Sequence, residues 1–346
     1  MTPCTWLLGR RASTAVVAAF LASSACSPGP EGSVGGAAGG DDTPPPAAQR
    51  SPRPDGPMEW PAVQDSIPGT AWTREDWEIF RATLEAAQAR GLDTLPLSDA
   101  IAEMGALFLG TPYVPQTLEV PGPERLVVNL RGLDCVTFVE NVLALTRFHR
   151  VHGVALLADP EAARGRYEED LAALRYREGR PDGYASRLHY FSEWLTIGEA
   201  AGRLELITAG LGGVPDPEPV TFMTAHREAY RQLADPAALG AMAGVEARLA
   251  ASGPRTYLPQ TAIAGAAAEI RNGDIIAATS TVEGLDVAHT GFAYWVDGAL
   301  HLLHAPLVGS TVVLSERPLA ERILATGSQD GIMVARPRAA WFTEGH

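Results

Sequence analysis

Hydrophobic and polar positions follow a helical period up to about residue 260, and short alternating apolar runs replace it after Gly273. The first helix is predicted over REDWEIFRATLEAAQARG, with Thr73 as its N-cap and Gly91 as its stop. A second runs from Leu97 to Leu109, with Ser98 near its start, and GTPYVPQ breaks it. Residues 125–129 (RLVVN) read as a short strand. Val136, Val139, Val142, Leu143, Leu145 and Phe148 then mark a third helix that ends near Gly153. Asp134 is its expected N-cap, which puts Cys135 at the first helical position. Residues 155–260 are Ala-rich and read as a helical insertion in the same domain, with turns at Gly179–Gly183 and Leu211–Pro219. DIIAATS, VAHTGFAYWV, ALHLLHA and STVVLS are short β-branched and aromatic runs, and they predict an antiparallel sheet.

The flanks change the picture of where this domain sits. Residues 1–25 carry Arg10, Arg11 and a short apolar run, the pattern of a signal peptide, too short to span a bilayer. SSAC, ending at Cys26, is similar to a bacterial lipobox and makes Cys26 the candidate lipidation site. Residues 26–66 are rich in Gly, Pro and Ala and read as a flexible tether. The folded domain is therefore expected over 67–346. The expected location is outside the cytoplasm, in the periplasm or cell envelope, with the membrane reached through an N-terminal lipid anchor. The chain has 346 residues and a formal net charge of −14, and all 27 of its basic residues are Arg. Lysine chemistry is excluded, and with no basic stripe nucleic acid is not an expected partner.

Of 3 cysteines, Cys4 falls in the signal segment, and a lipidated Cys26 leaves no cysteine for a disulfide to Cys135. A buried structural thiol is the plain reading of such a residue. Its place at a helix start supports another. The nucleophile is the thiolate, whose pKa of about 8.5 is lowered by a helix N-terminus or a nearby imidazolium. N–H groups of a first turn can also receive an oxyanion. A base is then needed, and the sheet region offers His289, His301 and His304. VDGA, around Asp297 and Gly298, is a two-residue hairpin signal. Pairing Val296 with Ala299 places Gly291 opposite His304 and Tyr294 opposite His301. His289 and His304 then share one sheet face, and His301 points away. This assigns His289 as base, His304 as its orienting partner and His301 as a bystander.

LGTPYV (109–114) followed by GLDCVTFVEN (132–141) resembles the opening of the NlpC/P60 cysteine peptidases, and VAHTGFAYWVDGALHLLHA (287–305) resembles their paired strands. NGDIIAAT (272–279) and SRLHYFSEW (186–194) are similar to a branch catalogued as domain of unknown function 1460 (DUF1460), related to N-acetylmuramoyl-L-alanine amidases. The resemblance spans about residues 75–340. It implies an α+β, papain-like fold in which N-terminal helices carrying the cysteine pack on a C-terminal antiparallel sheet carrying the histidines. It implies a Cys135–His289–His304 triad and support near the thiol from Tyr113. The implied substrate is peptidoglycan or a muropeptide, cut at an amide bond, and no cofactor or metal is called for. It suggests a place near the substrate cleft for Arg187, His189 and Tyr190. An arginine there can clamp a carboxylate, and stem peptides carry several.

The leading expectation is an N-acetylmuramoyl-L-alanine amidase. A murein stem-peptide endopeptidase, an acyltransferase on lipid and a non-catalytic wall-binding lipoprotein fit the same residues. A zinc amidase using Asp286, His289 and His304 is a further alternative, weakened by the lack of an HExxH pair.

Overall fold

Nearly every residue of the third helix is buried, because the chain wraps helices around it and lays it on a sheet. The computed structural model describes residues 66–306 and 310–343. The signal segment, Cys26 and the tether as far as residue 65 lie outside the described residues.

Helices α1 (Arg74–Ala89), α2 (Leu97–Ala106) and α3 (Cys135–Val151) come first. Thr73 caps α1 by accepting the Asp76 N–H. Between α2 and α3, residues 125–129 are extended but form no strand, contrary to the sequence expectation. Side chains satisfy that segment in place of a ladder. Arg175 Nη1 donates to the Val127 carbonyl at 2.6 Å, and the Tyr176 hydroxyl donates to the Arg125 carbonyl at 2.9 Å.

The 155–260 region supplies α4 (Pro160–Arg175) and α5 (Phe191–Ala200), β1 (Leu204–Leu206), β2 (Val214–Asp216), α6 (Phe222–Ala225), α7 (Pro236–Ala251) and β3 (Arg255–Pro259). It is thus not purely helical, since three of its segments extend the sheet. Its first helix belongs to the core. Arg175 of α4 meets Glu140 of α3 at 2.7 Å, with both side chains 2% exposed.

After α8 (Ile263–Ala266) come β4 (Ile275–Ser280), β5 (Val287–Val296), β6 (Ala299–His304), β7 (Val313–Leu314), α9 (Leu319–Ala325) and β8 (Gln329–Pro337). The strands pair antiparallel in the order β2-β3-β8-β4-β5-β6-β7, with β1 also on β8. Both faces are covered. Ile275, Ala277, Phe292 and Leu303 join the core built on α1–α4, while Ile276, Ala278, Ala293 and Leu302 face Ile263 of α8 and Leu319 and Ile323 of α9. This is the period of two expected of a strand. Phe138 of α3 meets Phe292 of β5 edge-on, ring centroids 5.7 Å apart. The cysteine-bearing helix therefore packs on the histidine-bearing sheet, in an α+β arrangement.

Candidate active site

Cys135 owes its position to the turn before it. Leu133 is clamped by the passing segment 112–114: its N–H donates to the Pro112 carbonyl at 3.0 Å and its carbonyl accepts the Val114 N–H at 3.1 Å. Gly132 permits this close passage, because a Cβ there would lie 2.4 Å from Val114 Cγ2. Tyr113 forms the bridge to Leu133 with its backbone and is itself buried. Its place is two residues from Cys135, in the support of the turn.

Asp134 then starts α3 with a complete capping box. Its Oδ1 accepts the N–H groups of Val136 at 3.1 Å and Thr137 at 2.8 Å, and Thr137 Oγ1 accepts the Asp134 N–H at 2.9 Å. Cys135 is the first helical residue, 1% exposed. The sequence reading expected open N–H groups in this turn, and those of Val136 and Thr137 are taken by the cap. The positive helix end is thus shared between thiol and carboxylate. Burial pushes the Asp134 carboxyl above its usual range, against the hydrogen bonds that lower it.

The histidines follow the predicted hairpin. Val296 pairs with Ala299 and Tyr294 with His301, and Asp297 (φ 49°) and Gly298 (φ 78°) make the primed turn between them. His304 approaches Gly291, where a Cβ would fall 2.5 Å from the Leu303 carbonyl and 2.9 Å from His304 Cβ. The absent side chain lets the rings meet. His289 Nε2 lies 2.7 Å from His304 Nδ1, the rings at 86°. Both are buried, at 4% exposure. Burial, then the charge of His304, holds His289 well below the usual imidazole range, and burial followed by Arg322 does the same to His304. His301 is turned away, its Nδ1 2.7 Å from the Ser315 carbonyl.

Cys135 and His289 line one small cavity, of about 60 Å³, together with Asp134, His189, Tyr190 and Glu119. Phe222, Met223 and Tyr230 of the 155–260 region complete its wall, as does Asp286. His189 donates from Nε2 to the Tyr184 carbonyl at 2.9 Å, which fixes its tautomer and leaves Nδ1 as an acceptor. Burial, then the charge of Arg187, keeps it neutral. Tyr190 lines the cavity, and its hydroxyl is engaged on both sides. That group donates to Glu246 Oε1 at 2.7 Å and accepts the Met223 N–H at 2.8 Å, which ties α7 to the cavity wall.

Arg187 departs from expectation. It is buried behind the wall, its Nη2 2.6 Å from Glu119 and its Nε 3.4 Å from Glu124, with Tyr184 5.1 Å beneath the guanidinium. Two carboxylates of this chain already hold it, so a substrate carboxylate has no claim on that fork. Glu119 was not foreseen as a cavity residue: a lone Glu in a loop carries no sequence signal. Asp286 accepts the Ser192 N–H at 2.7 Å and the Val287 N–H at 2.8 Å. Its oxygens thus anchor backbone, and among the described residues no group of three or more His, Cys, Asp or Glu is arranged to hold a metal ion.

Residues 103–328 match the profile of the AmiA-like family, described as N-acetylmuramoyl-L-alanine amidase-like. Among solved structures, the chain is similar to an N-acetylmuramoyl-L-alanine amidase from Bacteroides uniformis, at 35% identity and a TM-score of 0.64, over 70% of this chain and 99% of that one. A candidate xylanase from Bacteroides fragilis aligns at 37% identity and a TM-score of 0.60, over 67% and 98%. A Legionella pneumophila protein of the DUF1460 family shares the fold at 21% identity and a TM-score of 0.54, over 75% and 94%. Among functionally curated proteins, no sequence matches it.

Proposed function

We propose, because the chain belongs to the AmiA-like, N-acetylmuramoyl-L-alanine amidase-like family, that it is a cysteine hydrolase of the cell envelope that cuts an amide bond in peptidoglycan or muropeptides. The bond is the one between the muramoyl lactyl group and L-alanine, as the name of the Bacteroides uniformis relative states for that protein. The enzyme works in the papain-like manner of NlpC/P60 proteins. Its N-terminal segment directs export and anchors it by lipid at Cys26.

One observation carries the catalytic part: His289 uses Nε2 on His304, 2.7 Å away, while sharing the cavity of Cys135. Nδ1 is then the nitrogen that serves the thiol. The proton of Sγ passes to His289 Nδ1, and the thiolate attacks the amide carbonyl. His289, now an imidazolium, is held by donation from Nε2–H to neutral His304 Nδ1. It returns its proton to the departing amine as the C–N bond breaks, leaving a thioester on Cys135. Water, deprotonated by His289, cleaves the thioester to a carboxylic acid and restores the thiol.

A glycosidase reading, prompted by the xylanase relative, needs two carboxyl groups facing one bond. Asp134 Oδ1 and both oxygens of Asp286 accept backbone N–H groups, and Glu119 Oε1 is joined to Arg187. The test is mass spectrometry of defined muropeptides incubated with the wild type and with Cys135→Ala. Release of the intact stem peptide by the wild type alone is expected. Sugar chain cleavage, or equal turnover by the variant, overturns the reading.

A further inference from the structure

At the opposite end of α3 from Cys135 lies a second concavity, of about 480 Å³. Cys135 and Arg147 are about 18 Å apart along the helix at a rise of ~1.5 Å per residue. The concavity is separate from the catalytic cavity and shares no lining residue with it. Its wall carries Arg147, Arg166, Arg203, His152 and Trp341, with Glu169 and Asp170 as its acids.

Both acids are already engaged. Arg147 Nε binds Asp170 Oδ1 at 2.7 Å, and Arg166 Nη1 binds Glu169 Oε2 at 2.7 Å. Arg147 also donates from Nη1 to the Trp341 carbonyl and lies over the Trp341 ring, 5.3 Å from its centroid. Its Nη2 is not used in these contacts. Arg203 is different. It is half-buried, and among the described residues it has no ion pair and no side-chain hydrogen bond. Burial, then the like charge of Arg147, pulls its pKa below the usual guanidinium range, with Asp170 opposing that fall. Asp170 is itself bound to Arg147, so the Arg203 guanidinium keeps donors to offer a further anion.

We propose that this concavity is an oxyanion-binding site, in which Arg203, with the unused edges of Arg147 and Arg166, holds a phosphate or carboxylate group of a polar ligand. A guanidinium's planar donor fork matches such a group. Charged and polar side chains make up most of the lining, so the charged group of the ligand is what the site recognises. The inference stands on residues outside the catalytic cavity and does not depend on the hydrolase reading.

The test is thermal unfolding of the full chain at fixed ionic strength, with sodium chloride replaced stepwise by sodium phosphate or by sodium acetate. A saturable rise in Tm with at least one of the two is expected, and which one acts separates a phosphate-bearing ligand from a carboxylate-bearing one. Arg203→Gln is expected to weaken the apparent Kd by about tenfold or more, the effect of losing one charge-assisted hydrogen bond. The Arg203 carbonyl, which accepts the Arg338 N–H, is untouched by that change. Should Arg203→Gln not fold in chloride, Arg203→Lys, which loses the fork and keeps the charge, must show the weakening. No saturable rise with either anion, or an equal rise in the Arg203 variant that folds, overturns the proposal.

Discussion

His304 Nδ1 stands 2.7 Å from His289 Nε2 with the two rings nearly perpendicular. A carbonyl or carboxylate in that place would only accept, whereas an imidazole accepts at Nδ1 and is itself a titratable group. Within the hydrolase reading, His304 stays neutral throughout and accepts the Nε2–H of His289 at Nδ1 whether His289 is neutral or charged. The pair was legible from one turn, VDGA, and one alternation.

Within the hydrolase reading, Cys135→Ser and His289→Ala are expected to lose turnover of muropeptide by about 10²–10⁴-fold, with circular dichroism unchanged. His301→Ala should keep wild-type turnover, since its ring is bonded to the Ser315 carbonyl on the other side of the strand. A His301 variant as inactive as the His289 one would contradict the assignment.

His304→Asn should retain part of the activity and His304→Ala less. The loss should sit in kcat, on the order of 10²-fold for alanine, because His304 touches the base and not the cavity. A steady-state comparison that finds KM raised and kcat intact would place His304 in substrate binding instead.

Gly291→Ala is expected to be damaging although alanine is the smallest change available. Its Cβ would fall 2.5 Å from the Leu303 carbonyl and 2.9 Å from His304 Cβ, so β6 must shift. The stability cost is about 1–3 kcal/mol, read by urea unfolding, with activity falling further than stability because the shift separates the rings. Wild-type activity in this variant would show that the rings need no such closeness.

The ion pair of Glu140 with Arg175 is 2.7 Å long and buried on both sides. Burial pushes the Glu140 carboxyl above its usual range, with Arg175 opposing that rise. Glu140→Ala strands a buried guanidinium and should cost about 3–5 kcal/mol. The double change Glu140→Leu with Arg175→Met should recover much of it. Additive losses in a double-mutant cycle would argue against the pair.

His189, His289 and His304 are all held below the ordinary imidazole range, first by burial. In the unfolded chain they titrate near ~6.5. Below that value the unfolded state binds protons that the native state refuses, so stability falls as pH drops from about 6.5 toward the folded values. Buried Asp134 and Asp286, raised by burial, act with the opposite sign in their own lower range. Chemical denaturation between pH 7.5 and 5 should show a slope that is shallower in His189→Gln than in the wild type; equal slopes would remove His189 from the account.

What could be read from sequence was local. Thr73 and Asp134 cap their helices through bonds to neighbours two or three residues on, and the Asp297–Gly298 turn sets a register by its own backbone. What could not be read depended on partners far along the chain. RLVVN has strand composition, yet Arg175 and Tyr176 bond its carbonyls. Arg187 looked available until Glu119 and Glu124 folded onto it. Tyr190 lines the cavity, and its hydroxyl is bonded to Glu246 on another helix. Two of the first-turn N–H groups, those of Val136 and Thr137, are claimed by the same Asp134 that made the helix start so legible.

The place of β8 adds a constraint of timing. It is the last described strand along the chain, yet it lies inside the sheet, between β3 and β4, and it also receives β1. Until it arrives, β4 has an open edge, and β1 and β3 lack the neighbour they flank. Emergence from a ribosome therefore cannot yield a finished molecule piece by piece. Shortening the chain by β8 should leave a sticky, incompletely closed species and not a smaller working one.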